Sequence, residues 1–477
     1  MPGRDTTNGP QPHPAAGKAG AMPAEFGLAT ATFLIVASMV GTGVLTTSGY
    51  TVLSVGSNQL MLGLWVLGGV TAACGALTLC ELTAALPRSG GDYVYLYEAY
   101  GPLVAFLSGW VSFLIGFSAP AAVSALFAAL YLTAPLDLGH GPSLRVQRAV
   151  ATALVLVFAF VHTSGRKQTA HVQGWITAVK LAILGLFVVC GLVAGRSHFV
   201  NLADPLPVTP GRLVAMLSSL VYISYAYTGW NAASYLAGEF VDPQKKLPRA
   251  IVLAMAGVVV LYLGLNVVFA LALSAADVRG IAASRGADAV APIAKLAAER
   301  LFSARLSTPF TVAVGLMLLS SLSAYLLAGP RVIYAMAVAG QFPAVAGKLT
   351  ARAGTPGVAT VLQTACALVL VWVGSPDKLL KYAGVGLAIF SMLAVAAVYL
   401  LRWTQPGLHR PFRTPGYPVT PAVYLVVTGA LTVASFVSEP RVSSYALLSI
   451  LAGVPLYYLW RAWRKAAPPQ GIDVEAP

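Results

Sequence analysis

Ala37-Ser38-Met39-Val40-Gly41-Thr42-Gly43-Val44-Leu45-Thr46-Thr47-Ser48-Gly49 is the stretch on which the fold turns. It lies within 55 uncharged residues between Glu25 and Glu81, long enough for two membrane crossings of about 20 residues each, with a turn at Val55-Gly56-Ser57-Asn58-Gln59. Glycine weakens a helix by about 1 kcal/mol. Gly41 and Gly43 on either side of Thr42 therefore permit local unwinding midway along the first crossing. A parallel interruption occurs far downstream, at Tyr225-Ala226-Tyr227-Thr228-Gly229-Trp230-Asn231. Close helix packing through small residues is the alternative use of such glycines. Interrupted apolar segments at corresponding places in two halves of a chain point instead to a binding site between them.

The physics of a break explains why. Unwinding leaves carbonyls free at the end of one half-helix and N–H groups free at the start of the next. The N–H end suits a carboxylate and the carbonyl end suits an ammonium. Two breaks side by side make a receptor for a zwitterion with no charged side chain, which matters where side-chain charge is costly.

The whole chain fits a bilayer. Of 477 residues 57% are hydrophobic and only 10% charged, against about a quarter charged in soluble domains. Three soluble domains of this length could not cover their surfaces, which sets aside a soluble enzyme, a disordered protein and a nucleic-acid-binding module. The net charge of +14, from 30 Lys and Arg against 16 Asp and Glu, is spread in ones to threes between apolar runs. That is how topology signals look. Cys74, Cys80, Cys190 and Cys366 all lie in apolar runs without metal-ligand spacing, so neither a metal site nor a disulfide framework is expected, and no cofactor. Residues 1–25 lack an apolar core, so no cleavable signal peptide is expected.

The charges divide the chain into twelve expected spans. Single-span gaps fall between Arg212 and Glu239, Arg249 and Asp277, Arg305 and Arg331, Arg352 and Asp377, Lys381 and Arg402, Arg413 and Glu439, and Arg441 and Arg461. A long tilted helix follows Glu98, and less clean spans lie near 147–164 and 172–195. The runs are too continuously apolar for barrel strands, so the fold class is an all-α integral membrane bundle. With both termini inside, 17 Lys and Arg face inward and 12 outward, which places both termini in the cytoplasm. Between Asp288 and Arg305, Val290, Ile293, Leu296 and Leu301 recur at helical spacing. This reads as an interfacial amphipathic helix, or else a solvated loop.

These motifs make the chain resemble the amino acid–polyamine–organocation superfamily, close to the L-type amino acid transporters and bacterial permease relatives. The likeness rests on Gly41-Thr42-Gly43, on Glu81 to Leu86 with Pro87-Arg88-Ser-Gly-Gly91-Asp-Tyr93-Val-Tyr95, on Gly229-Trp230-Asn231 through Glu239 with Asp242-Pro243 to Arg249, and on Gly329-Pro330-Arg331 to Met336. It covers about residues 25–465. It implies a LeuT-like inverted repeat of five plus five helices with helices 1 and 6 broken and two helices added: a disordered tail 1–25, repeats 26–200 and 210–402, added helices 414–462 and a tail 463–477.

The resemblance also implies roles. Backbone N–H groups and the hydroxyl around Gly41, Thr42 and Gly43 would meet a substrate carboxylate. Carbonyls of Met39, Tyr225 and Thr228 would meet its ammonium, with Ala226 and Gly229 in the same unwound stretch. Tyr225 would be the aromatic gate. Lys180 would touch the broken first helix and stand in for a sodium ion, although a lysine near a span's end can also snorkel to the interface. The acidic pair that the family carries after Tyr334-Ala-Met-Ala is replaced by Val338-Ala339-Gly340-Gln341, so no inner-face ion pair is expected in that loop.

Glu81 and Glu239 are expected to be exposed or interfacial, His162 and His171 solvated, and Trp110, Trp175, Tyr262, Tyr457, Tyr458 and Trp460 interfacial anchors. No acidic side chain is near either break in sequence, and Val40, Val44, Ile115, Phe117 and Tyr225 would line the site. The expected function is a plasma (inner) membrane permease for neutral, apolar or aromatic L-amino acids, sodium-independent and either proton-coupled or exchanging, with no nucleic-acid partner. A partner subunit is left open. A sensor that kept the transporter fold, or a permease for polyamines or cationic amino acids, is the alternative. An intramembrane hydrolase lacks its Ser/His, paired Asp or metal constellation, and a channel lacks a filter or rings of charge.

Overall fold

A computed structural model describes residues 26–133, 143–202, 210–302, 304–350 and 353–466. The expected disordered tail 1–25, and the end of the tail from 467, lie outside them. Helices account for the architecture, and among the described residues the one pair of extended strands in register is the isolated bridge Phe26–Phe240.

The first apolar run is split as its glycines require. Helix α1 covers Leu28–Met39, Val40 is extended, Gly41 is non-helical, and α2 covers Thr42–Val55. Gly56 closes α2 in the left-handed conformation (φ 67°), and Ser57 caps the N-terminus of α3, Asn58–Ala85, by accepting from Leu60 N–H. A short helix α4, Asp92–Tyr100, precedes the third span. That span runs as α5, Pro102–Val111, through a π-helical segment Ser112–Ser118 into α6, Ala119–Thr133. Then follow α7 (Leu144–Ser164), α8 (Arg166–Ala194) and α9 (Pro210–Ala226). At Ala226 the helix stops, and a 3₁₀ segment Ala232–Glu239 carries the chain onward. Next come α10 (Pro243–Ala272), α11 (Ala275–Arg285), α12 (Ile293–Leu301) and α13 (Ala304–Val338). The chain ends in α14 (Gly357–Val373), α15 (Pro376–Thr404), α16 (Val419–Ser438) and α17 (Pro440–Ala466).

Among the described residues, ten helical segments are long and apolar enough to cross a membrane, counting α1 with α2 and α5 with α6. Two shorter apolar helices, Val214–Ala226 and Gly357–Val373, fall where the sixth and ninth spans were expected. The protein is a multi-pass all-α membrane protein. Exposed leucines, valines and aromatics such as Phe160, Trp175, Val260 and Val437 lie on the outside of the bundle, the surface that lipid would cover.

The 288–305 region corrects one expectation. It does form a helix, α12, but Val290, Ile293, Ala294, Ala297 and Ala298 are buried, against α13, α10 and α2. The apolar stripe is covered by protein rather than by an interface. A Cβ on Gly49 would lie 2.0 Å from the Val290 carbonyl oxygen, so α2 packs hard against this cover.

Candidate functional site

The two breaks meet in the centre of the bundle. A Cβ on Gly43 would stand 2.5 Å from Ala226 Cα and 2.6 Å from its Cβ, so only glycine permits this approach. Gly229, at φ +104°, lies against Ser38, where an added Cβ would meet backbone at 3.0 Å. Both glycines are therefore used twice, to open a helix and to let the other break come close.

The last turn of α1 leaves four carbonyls with no helical partner to accept from, and side chains of three other helices donate to them. Lys180 Nζ of α8 donates to Val40 O and, at 3.5 Å, to Ala37 O, and it lies 2.9 Å from Ser321 Oγ. Ser321 Oγ of α13 is 2.8 Å from Ala37 O and 3.0 Å from Val40 O. One turn on, Tyr325 donates to Ser38 O at 2.7 Å. Tyr262 Oη of α10 is 2.6 Å from Met39 O and 2.9 Å from Ala226 O. Met39 ends α1 and Ala226 ends α9, so one hydroxyl joins the open carbonyl ends of both broken helices. The start of α2 is different: its N-cap is Gly41, which has no side chain to accept from the first turn. The N–H groups at Thr42 and Gly43 are thus not taken by a side chain at the cap of α2, whereas the carbonyl end of α1 is already occupied.

Lys180 is 1% exposed, and among the described residues no carboxylate pairs with it. Its charge is met by the carbonyl end of α1. This geometry is incompatible with snorkelling to the interface, the alternative reading of this residue.

The carbonyls expected to take an ammonium are not equivalent. Tyr225 O accepts from Thr228 N at 3.0 Å and from Thr228 Oγ1 at 2.7 Å, which uses both its lone pairs. Met39 O has one lone pair engaged by Tyr262. Thr228 O accepts no hydrogen bond among the described residues. Tyr225 itself is buried and its hydroxyl interacts with Thr42 across the two breaks. Val40, Val44, Ile115 and Phe117 are buried as well. Ile115 packs on Gly386 of α15, and Phe117 turns its ring edge-on to Tyr235, centroids 5.0 Å apart. A small cavity beside Thr228 and Trp230 is walled by Thr71, Ser224, Ser391 and Tyr424 and does not include Gly41 to Gly43.

Several expectations change. Tyr262 is not an interfacial anchor but fully buried, edge-on to Trp65 and tilted against Tyr227. Tyr457 is also buried, against Phe106. Glu81 is buried rather than exposed. It accepts from Arg402 at 2.8 and 2.7 Å and from Thr414 N and Oγ1 at 2.8 Å, with Arg410 3.3 Å away. Glu239, also buried, pairs with buried Arg331 at 3.1 Å, and Arg331 donates to Leu327 O as well. Arg331, which bounded an apolar run in the sequence, is thus, with Lys180, a fully buried cation within a span. His162 is buried and lies 3.0 Å from Ser323 Oγ, whereas His171 is exposed as expected. An acidic side chain does reach the second break: Asp92 Oδ2 accepts from Asn231 Nδ2 at 2.7 Å.

A signal for the missed donors was present. Ser321 and Tyr325, and likewise Tyr262 and Asn266, are polar residues spaced i, i+4 inside otherwise apolar spans. That spacing marks one interior helix face. Asn266 lies 2.6 Å from Ser48 Oγ of α2, on the same side.

Compared with known proteins, residues 26–458 match the family model described as amino acid permease. The chain belongs to the amino acid permease family. It is 31% identical to the Asc-type amino acid transporter 1 of Mus musculus over 452 residues, covering 93% of this chain and 82% of that protein. The Large neutral amino acids transporter small subunit 2 of Mus musculus is 29% identical, over 97% of this chain and 86% of its own length. The Serine/threonine exchanger SteT of Bacillus subtilis (strain 168) is 29% identical, over 91% and 96%. The resemblance read from the sequence therefore holds along the chain, and amino acid transport is the activity of the family and of these relatives.

Proposed function

We propose that this permease carries neutral L-amino acids across the plasma (inner) membrane by sodium-independent alternating access, as exchange or as proton-coupled uptake, with both termini cytoplasmic. The observation that carries the reading is the meeting of two helix breaks with opposite ends differently prepared. The N-terminus of α2 at Gly41, Thr42 and Gly43, whose glycine cap has no side chain, offers N–H groups for a carboxylate. Thr228 O and the remaining lone pair of Met39 O offer acceptors for an ammonium. Ala226 and Gly229 hold these groups close by having little or no side chain there. Neutral substrates are favoured because the stretches 40–44 and 225–229 carry no charged side chain of their own, and Lys180 and Asp92, which reach the breaks from elsewhere, are engaged with Val40 O and with Asn231. Tyr225, whose hydroxyl interacts with Thr42, would cover a bound molecule.

Lys180 supports the sodium-independent part of the proposal. Its ammonium fills the position at the end of α1 where a cation would otherwise neutralise the carbonyl dipoles. The relatives named as a large neutral amino acids transporter and a serine/threonine exchanger support the neutral-substrate and exchange parts of the reading. The two five-span halves, 26–200 and 210–402, would be the bodies that move about the breaks.

Uptake of a labelled amino-acid panel into proteoliposomes, with sodium and pH gradients imposed separately, tests the proposal. Uptake of neutral amino acids without sodium is expected. A requirement for a sodium gradient, or arginine or glutamate outcompeting leucine and alanine, would overturn it.

A further inference from the structure

Three carboxylates are buried among the described residues: Glu81, Asp92 and Glu239. Two have arginine partners, Glu81 with Arg402 and Arg410 and Glu239 with Arg331. Asp92 has no basic partner among the described residues. Its Oδ2 accepts from Asn231 Nδ2 at 2.7 Å and from the Tyr235 hydroxyl at 3.2 Å, while Oδ1 is buried with no hydrogen-bond partner. An ionised carboxylate has about four acceptor sites. Burying one with an oxygen unpaired and no cation is costly, and taking up a proton relieves the cost.

The surroundings supply no charge to do so instead. Asp92 opens α4, a short helix outside the spans. Burial pushes its carboxyl up from 3.8 to about 6, opposed by the hydrogen bonds from Asn231 and Tyr235, with no charged group contributing. The titratable groups that face it are Tyr95 on its own helix, Tyr235 on the 3₁₀ segment and Tyr424 on α16. Arg88, just upstream, is paired with Glu98 at 2.5 Å. From α5 and α15, packed on α4, no charged group acts on it.

We propose that Asp92 is a proton-binding site that latches the second helix break to α4, holding Asn231 and Tyr235 when ionised and releasing them when protonated. The proton comes from water on the face of the protein that carries Asp92 and binds the unpaired Oδ1. No other bond is made or broken covalently. Hydrogen bonds to an ionised acceptor are roughly twice as strong as those to a neutral one, so protonation weakens both attachments together. Asn231 lies two residues beyond Gly229, which packs on Ser38. Loosening the segment 229–235 therefore frees one wall of the place where the breaks meet.

The effect on transport rests on the function proposed above, whereas proton binding at Asp92 does not. The full-length protein and Asp92→Asn, which is near in shape but cannot titrate, are compared in proteoliposomes by amino acid exchange at equal internal and external pH between 5 and 8. Wild-type exchange is expected to change severalfold with a midpoint near 6, and Asp92→Asn to be flat across that transition. A variant profile that follows the wild type overturns the proposal.

Thermal melting of both proteins over the same range provides a readout independent of transport. A carboxyl raised on folding binds protons more tightly in the native state. Its contribution to stability is present at low pH and is lost as pH rises through about 4 to 6. The wild-type midpoint should therefore fall relative to that of Asp92→Asn as pH rises from 4 to 7. Parallel curves overturn the proposal even if neither protein exchanges any amino acid, an outcome that would separately refute the transport reading.

Discussion

Tyr262→Phe removes one oxygen atom from the centre of the account. The ring stays, and with it the packing edge-on to Trp65 and tilted against Tyr227, at centroid distances of 5.4 and 5.0 Å. What is lost is the hydroxyl that lies 2.6 Å from Met39 O and 2.9 Å from Ala226 O. A hydroxyl has one proton, so it satisfies one carbonyl fully at any moment, and the loss corresponds to one buried hydrogen bond rather than two. Leaving a buried acceptor without its partner costs about 1–3 kcal/mol. If that loss falls on the closed arrangement in which the two half-helix ends meet, the arrangement becomes about 5- to 150-fold less populated relative to open ones. Purified Tyr262→Phe should melt below the wild type and show at least about a fivefold drop in transport kcat/KM, while still folding to a monodisperse protein. Wild-type kinetics in a variant with a lowered melting midpoint would show that the hydroxyl serves stability alone. Unchanged kinetics and unchanged melting together would refute the claim that it joins the two breaks.

Lys180→Ala should abolish or strongly depress transport while leaving expression and folding intact. Ser321 Oγ remains 2.8 and 3.0 Å from the same two carbonyls, so the end of α1 keeps a donor, and a variant that transports normally would contradict the assignment. Arg331→Ala should cost about 3–5 kcal/mol, because it leaves Glu239 buried without that partner. Removing both charges in Arg331→Met with Glu239→Gln should recover most of the melting temperature, and a double variant no better than the single one would argue against the pair.

Ten of the twelve expected spans and both breaks were legible in the sequence because those depend on local chemistry. Charges mark the ends of apolar runs, Gly56 ends α2 as its turn predicted, and Gly41 with Gly43 opens the first span. What escaped was information about which neighbour covers a residue. Tyr262 was assigned by type, as an aromatic in a membrane helix, yet it lies inside the 30-residue α10 facing the breaks. A uniformly apolar span conceals its interior face; Asn266, one turn on, revealed it. Glu81 was assigned by its depth near a helix end, whereas the connection after α15 folds back to bring Arg410 and Thr414 over it. The stripe on α12 was legible as a stripe, but periodicity does not say whether lipid or protein lies against it. Asp92 and Asn231 are 139 residues apart, and their meeting is a property of the fold alone.

The central claim is that backbone ends at the two breaks hold both charges of a zwitterion. Inhibition of labelled leucine uptake by unlabelled leucine, by leucinamide, which lacks the carboxylate, and by 4-methylpentanoate, which lacks the amine, tests it directly. The account predicts that leucine inhibits and that each truncated analogue loses most of its potency, by about 100-fold for one charge-assisted contact of up to 3 kcal/mol. An analogue lacking either charge that inhibits as well as leucine would contradict it.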